Sequence, residues 1–135
     1  MPNIDKIRID NVDYDITSKN IYNISDEHII GIWIDNRPIY RKMFTVQDFS
    51  TGEHTISHNI ANLDFAIGKG GFGIRNDGKN QVIPNSFNAN FDFDIFDISS
   101  TTLSYKIGSL FTNSMSFSSI TLWIEYTKTT DNPNE

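Results

Sequence analysis

The chain has 135 residues, the length of one domain with a single modest core. Hydrophobic residues make up 38% of it and charged residues 21%, a balance typical of a sequence that folds. The net charge of −6 disfavours nucleic acid and anionic membranes as partners, and the lack of cysteine excludes disulfides and thiol chemistry.

The sequence shows no membrane or export signal. No apolar run approaches the roughly 18 residues that a membrane span needs. The segment Met1–Asp5 has neither the basic region nor the apolar stretch of a signal peptide. We therefore expect no membrane insertion. If the protein acts outside cells, we expect it to leave by lysis or within an assembled particle.

The first predicted element is a short β-hairpin. Two alternating segments, Ile7–Ile9 and Val12–Ile16, flank the dipeptide Asp10-Asn11. Asp and Asn both tolerate a positive φ, as a two-residue hairpin turn requires. A lone two-stranded hairpin is marginal in water, so we expect it to pack on another element.

The second predicted element is an apolar hairpin. Its strands are Ile29–Ile34 and Pro38–Val46, and its turn is Asp35–Arg37. Alternation gives the first strand two apolar faces, one formed by Ile30, Ile32 and Ile34 and the other by Ile29 and Trp33. Such strands occur inside a sandwich or beneath a partner subunit.

Further strands follow at intervals typical of a β-sandwich or jelly roll. We predict them at His54–Asn59, Leu63–Ile67, Gly73–Arg75, Gln81–Ile83, Phe91–Ile98, Leu103–Ile107 and Phe117–Lys128. A change of apolar phase predicts a bulge near Ile95-Phe96. In the last strand, one face carries Ile120, Leu122, Ile124 and Tyr126. We expect the tail Asp131–Glu135 to be frayed.

The scarcity of alanine, found only at Ala61, Ala66 and Ala89, agrees with strands rather than helices. The predicted fold is therefore all-β, an antiparallel sandwich or jelly roll preceded by a short hairpin. The boundary near Asn23–Ser25 divides a hairpin and linker (residues 1–24) from the sandwich (residues 25–135).

Three segments resemble the distal receptor-binding module of phage and prophage tail fibres. Asp26–Lys42 is similar to the pattern GxWxDGKPIYRK, and Thr121–Asp131 is similar to the terminal pattern IEYTKTTD. Val82–Pro84 matches in the middle, and Ile7–Ile16 resembles an opening often found ahead of such modules. Asn36 stands where the family usually has glycine, but asparagine also adopts left-handed turns. The resemblance implies a homotrimeric β-structured fibre tip that contacts the host envelope and other tail proteins.

A glycine-rich segment is the candidate ligand site. Between Gly68 and Lys79, backbone N–H groups could face an anion, and three cations add local positive charge. The predicted ligand-binding residues are Lys69, Phe72, Arg75, Asn76, Asp77 and Lys79. The alternative is a hairpin whose glycines serve turns and which Asn76-Asp77-Gly78 closes.

Three aromatic residues allow a second interpretation. Trp33, Tyr40 and Trp123 could form a stacking surface for sugar rings. Because they lie in the most family-like strands, we favour packing in the core or between subunits, together with Ile29.

The acidic and histidine residues do not form a catalytic pattern. Asp92 and Asp94 are expected side by side on a solvated strand face, and Asp97 lies nearby. Nothing in their surroundings signals the raised pKa that an acid catalyst needs. His54 and His58 lack the convergent ligands of a metal site. We predict no catalysis, no metal and no cofactor.

These observations leave three hypotheses. The first is a trimeric virion tip that recognises a bacterial surface polysaccharide or teichoic acid without cleaving it, strengthened by three-fold repetition. The second is a fibre or baseplate connector or trimerisation module without a ligand. The third is a small glycan depolymerase.

Overall fold

The computed structural model describes residues 6–15, 27–85, 90 and 92–131. The described residues contain strands, turns and short 3-10 segments but no α-helix, so the all-β prediction is confirmed. Within these ranges, no helix has the length and hydropathy of a membrane span. The predicted connector Thr17–Asn20 and the boundary near Asn23–Ser25 lie outside the described residues.

Ten strands are described. They are β1 (Lys6–Ile9), β2 (Val12–Asp15), β3 (His28–Ile32), β4 (Pro38–Val46), β5 (Gly52–Ser57), β6 (Leu63–Arg75), β7 (Asn80–Ile83), β8 (Phe93–Ile98), β9 (Thr102–Ile107) and β10 (Phe117–Lys128). A 3-10 turn at Asn113–Met115 precedes β10.

The strands form three sheets. β1 and β2 pair as the predicted hairpin, and its turn residues Asp10 and Asn11 both have positive φ. A five-stranded sheet has the order β3-β4-β10-β6-β7, and a three-stranded sheet has the order β5-β9-β8. The last described strand, β10, is therefore the central strand of the larger sheet.

The chain divides into two compact units. The first comprises Met1–Met43, Ala61–Gly68 and Ile124–Glu135, and the second comprises Phe44–Ile60 and Lys69–Trp123.

The second unit is a β-sandwich with an aromatic core. Phe93 of β8 lies 4.7 Å from Phe117 of β10 between ring centroids, so a strand of the smaller sheet packs on a strand of the larger. Phe111 lies 5.0 Å from Phe117 and completes the cluster. All three rings are almost fully buried.

The first unit is stabilised by polar contacts between β4 and β10. Tyr40 stacks on Tyr126 at 5.7 Å, and the Tyr40 hydroxyl donates to Asp131 at 2.7 Å. Tyr126 and Lys128 both donate to the Glu27 carboxylate. Burial, followed by the bond to Glu27, raises the pKa of Tyr126. The prediction that the tail frays from Asp131 is therefore wrong at that residue.

Buried Arg37 forms a second polar cluster in the first unit. Its guanidinium donates to Asp64 at 2.6 Å and to Asp35 at 2.7 Å, and a longer bond reaches the Lys128 carbonyl. The bond to Asp64 raises the pKa of Arg37 against the opposing effect of burial.

Three predicted strands differ clearly from the structure. The register of β3 shifts between Ile29 and Gly31, so the assumed alternation breaks and the strand ends at Ile32. Leu63–Ile67 and Gly73–Arg75 were predicted as separate strands, but they belong to one strand, β6. The bulge predicted near Ile95-Phe96 is confirmed by the register shift between Ile95 and Asp97.

Candidate functional site

The glycine-rich segment is a strand rather than a loop. Gly68 to Arg75 form the second half of β6, which pairs with β7. Asn76-Asp77-Gly78 close this hairpin as predicted, with Gly78 at φ +82° and its N–H donating to the Arg75 carbonyl at 2.9 Å. The backbone N–H groups of β6 are therefore not gathered into an anion-binding loop.

Three glycines of β6 leave room for residues of β10 to pack directly against the β6 backbone. A Cβ at Gly70 would overlap the Trp123 indole, and one at Gly73 would overlap the Phe117 ring. A Cβ at Gly71 would meet the Thr121 carbonyl at 2.6 Å. The prediction that the glycines serve turns is correct only for Gly78, because Gly70, Gly71 and Gly73 serve close packing between strands.

Three apolar side chains share one face of the β6–β7 hairpin, and Trp123 of the neighbouring strand β10 lies beside them. Phe72 and Ile74 lie two and four residues beyond Gly70, and Val82 is paired directly with Phe72. Trp123 lies against the Gly70 position and so belongs to the same face. Phe72 is 37% exposed, Ile74 39% and Val82 63%, whereas Trp123 is half-buried. We call Phe72, Ile74, Val82 and Trp123 the apolar platform.

Polar groups border the platform at the hairpin tip. Asn76, Asp77, Lys79 and Asn80 are all exposed, and Asn80 is paired with Ile74. The Asp77 carboxylate accepts a bond from Arg75 and a second from the Lys79 N–H at 3.2 Å. The bond from Arg75 is the main reason that the pKa of Asp77 is lowered.

Lys69 lies apart from the other predicted ligand-binding residues. Strand alternation directs it away from the face of Phe72. Its ammonium group donates to Asp94 at 3.1 Å and to the Ile95 carbonyl, both on β8. The six candidates therefore do not converge on one point; Phe72 and the tip residues share a region, whereas Lys69 contacts the smaller sheet.

The four residues predicted for the core or a trimer interface occupy different environments. Ile29 is buried, Trp33 and Trp123 are half-buried, and Tyr40 takes part in the polar cluster with Tyr126. In the β3–β4 hairpin the exposed apolar side chains are instead Ile32, which is 48% exposed, and Ile34, which is 89% exposed and lies in the turn.

The carboxylates considered for glycoside hydrolysis are engaged in ion pairs. Asp92 lies 3.2 Å from Lys106, and Asp94 pairs with Lys69. Each keeps only 24% of its side-chain surface exposed, so the expected fully solvated face is wrong for this pair. Asp97 is exposed.

His54 and His58 have separate structural roles. His58 is fully buried; its Nδ1 accepts from the Ile60 N–H at 3.0 Å, and its Nε2 lies 2.9 Å from the Ser99 carbonyl. His54 lies 3.2 Å from Asp48 and 2.6 Å from the Ser50 carbonyl. No group of three or more potential metal-ligating side chains occurs among the described residues.

Sequence inspection missed the proximity of Asp48, Ser50 and His54. The Ser50 hydroxyl donates to Asp48 at 2.6 Å, and the pKa of Asp48 is lowered mainly by this bond. His54 contacts the backbone carbonyl of Ser50 rather than its hydroxyl. In a Ser-His-Asp triad the imidazole would instead accept the hydroxyl proton. These contacts stabilise the loop between β4 and β5.

Comparison with protein-family models, with curated proteins and with solved structures found no match for this chain. The resemblance of its terminal segments to tail-fibre tips therefore stays a prediction.

Proposed function

We propose that this protein is a receptor-binding module of the tail-fibre type, which recognises a bacterial surface glycan as a homotrimer and does not cleave it. In this proposal it is a virion component located at the fibre tip. The apolar platform is the observation that carries the proposal. It offers exposed Phe72 and Val82 on a sheet face, with amide side chains at its border.

The chemistry of sugars fits such a surface. A pyranose ring has an apolar face of C–H groups, which packs on aromatic and aliphatic side chains, and hydroxyl groups at its edge. Asn76 and Asn80 each supply an amide that both donates and accepts hydrogen bonds. A single site on exposed side chains of a sheet face would bind weakly, and three linked copies would raise the effective affinity.

Exposed apolar residues of the first unit support the proposed trimer. Ile34 is 89% exposed and Ile32 is 48% exposed. A side chain of this kind at the tip of a hairpin gains stability when a second copy covers it.

The glycan proposal is tested with labelled protein and intact bacteria of many surface types. Phe72→Ala should weaken binding to a positive strain by about tenfold per site, because it removes on the order of 1–2 kcal/mol of apolar contact. Phe96→Ala is the matched control, since Phe96 is an exposed phenylalanine of β8 in the other sheet. Equal binding by the Phe72 variant and the wild type would refute the role of the platform.

The trimer is tested by light scattering on the purified protein. The wild type should show three times the mass of the 15.4 kDa chain. Ile34→Asp should shift the mass towards that of a single chain, whereas Val12→Asp, at an exposed position of β2, should not. A wild-type protein with the mass of one chain would contradict the proposed assembly.

A connector or trimerisation module is the second candidate, and the exposed Ile32 and Ile34 favour it equally. A stable trimer that binds none of the bacterial strains would support the connector over the receptor-binding module.

A further inference from the structure

Two of the three cations of the glycine-rich segment are already paired with carboxylates of the same chain. Lys69 bonds to Asp94, and Arg75 bonds to Asp77. Within the described part of the hairpin, Lys79 is the one cation without an ion pair. The positive charge that the sequence places on this segment is therefore mostly compensated in the folded protein.

The same compensation extends beyond the hairpin. Ion pairs with the chain's own carboxylates are also made by Arg37, Arg41, Lys106 and Lys128. A polyphosphate ligand gains affinity by contacting several cations at once and releasing their counterions. Here it would have to displace carboxylates, which would remain nearby and repel it.

The side chains of the platform itself carry no charge. Phe72 and Val82 present hydrocarbon surface, and Asn80 beside them carries no charge. The exposed ionised residues at the tip are Asp77, whose carboxylate is paired with Arg75, and Lys79. A ligand that fits this surface has an apolar face and hydroxyl or amide groups but no phosphate.

We propose that the apolar platform selects uncharged sugar polymers and rejects polyphosphate polymers such as teichoic acid. This inference rests on the proposed function, and it gives that function a ligand class. Of the two ligands that the sequence leaves open, polysaccharide and teichoic acid, it favours the polysaccharide.

Competition on a bacterial strain that binds the protein tests the inference. The surface polymers of that strain are released and separated by anion exchange into an uncharged and a charged fraction. The uncharged fraction should compete for binding, poly(glycerol phosphate) should not, and binding should change less than about twofold between low and high salt.

Two outcomes would overturn the inference and leave the proposed function intact. These are competition by the charged fraction alone, and a loss of binding of about tenfold or more at high salt. If no bacterial strain binds the protein, the proposed function fails and the inference fails with it.

A variant tests whether ion pairing is the cause of the selectivity. Asp77→Asn removes the partner of Arg75 and should create salt-sensitive binding to poly(glycerol phosphate), at least about tenfold above the wild type. Asp97→Asn makes the same change of charge at an exposed position of β8 and should have little effect. Equal polyphosphate binding by the Asp77 variant and the wild type would show that pairing with Asp77 does not determine selectivity.

Discussion

The interiors of the two compact units are stabilised by different kinds of interaction. In the second unit, Phe93, Phe111 and Phe117 form an apolar core between sheets. In the first unit, hydroxyl and charged groups meet, among them Tyr126 and Lys128 on Glu27. Packing of apolar rings depends on volume, whereas a polar cluster depends on every member having its partner. The units should therefore respond to different kinds of substitution.

Contacts in the first unit also join two of the segments on which the resemblance to tail-fibre tips rests. Tyr40 and Arg41 belong to the first of those segments, and they contact Tyr126 and Glu125 of the last one. These segments, far apart in sequence, are thus adjacent strands. Of the four platform residues, Phe72 and Ile74 lie outside the segments that carry the resemblance, whereas Val82 and Trp123 lie within them.

The largest expected effect is on the apolar core. Phe93→Ala should lower the free energy of unfolding by about 3–5 kcal/mol, because it leaves a cavity where the ring is fully buried. Urea unfolding measures the change. The exposed Phe96→Ala serves as control and should cost less than about 1 kcal/mol. Similar losses from both variants would contradict the assignment of the core to Phe93.

A glycine substitution sharpens the same point. Gly73→Ala should destabilise the protein by about 1–3 kcal/mol, because the new methyl group would overlap the Phe117 ring. Gly31→Ala is a matched control in the first unit, since the nearest neighbour of its Cβ would be Ile39 at 3.9 Å. If Gly31→Ala lowered the melting temperature more than Gly73→Ala, close packing against Phe117 would not explain why position 73 is glycine.

The polar cluster should be disturbed by loss of one charge. Glu27→Ala should cost about 1–2 kcal/mol, because Tyr126 and Lys128 lose their acceptor while they remain largely buried. Glu53→Ala, at an exposed position of β5, should be nearly neutral in the same urea experiment. An equally small effect at Glu27 would mean that this cluster adds nothing to stability.

High pH should affect both units through buried tyrosines. Burial raises the pKa of Tyr105 to about 12, above the value of about 10 in an unfolded chain. The contribution of neutral Tyr105 to the free energy of unfolding is thus complete below a pH of about 10 and is lost as the pH rises towards 12. Tyrosinate absorbance and unfolding should show this loss, and Tyr105→Phe should reduce it. Ionisation of Tyr105 at pH 10 without unfolding would contradict it.

Much of the fold follows from local sequence patterns. Alternation predicts β10 and β4 at their observed bounds, and Asp10-Asn11 predicts the first turn. The extent of β6 was missed because glycine has low strand propensity. Only the opposing rings of Trp123 and Phe117 make glycine suitable there, and these contacts are between residues distant in sequence.

The candidate site was harder to predict. Lys69 and Arg75 look like available cations in the sequence, but their partners Asp94 and Asp77 become known only from the structure. Exposure of Val82 depends on its pairing with Phe72 across the hairpin, which alternation alone does not specify. The one-residue shift in β3 likewise removed the expected two-faced pattern.

The central place of β10 in the five-stranded sheet has a consequence for biosynthesis. β4 and β6 both hydrogen-bond to β10 in the sheet order, yet the ribosome makes them long before it. Their edges must stay unpaired until β10 has been translated and has left the exit tunnel. The larger sheet should therefore form only after β10 has emerged, and chaperones that shield the unpaired strands until then would improve the yield of soluble protein.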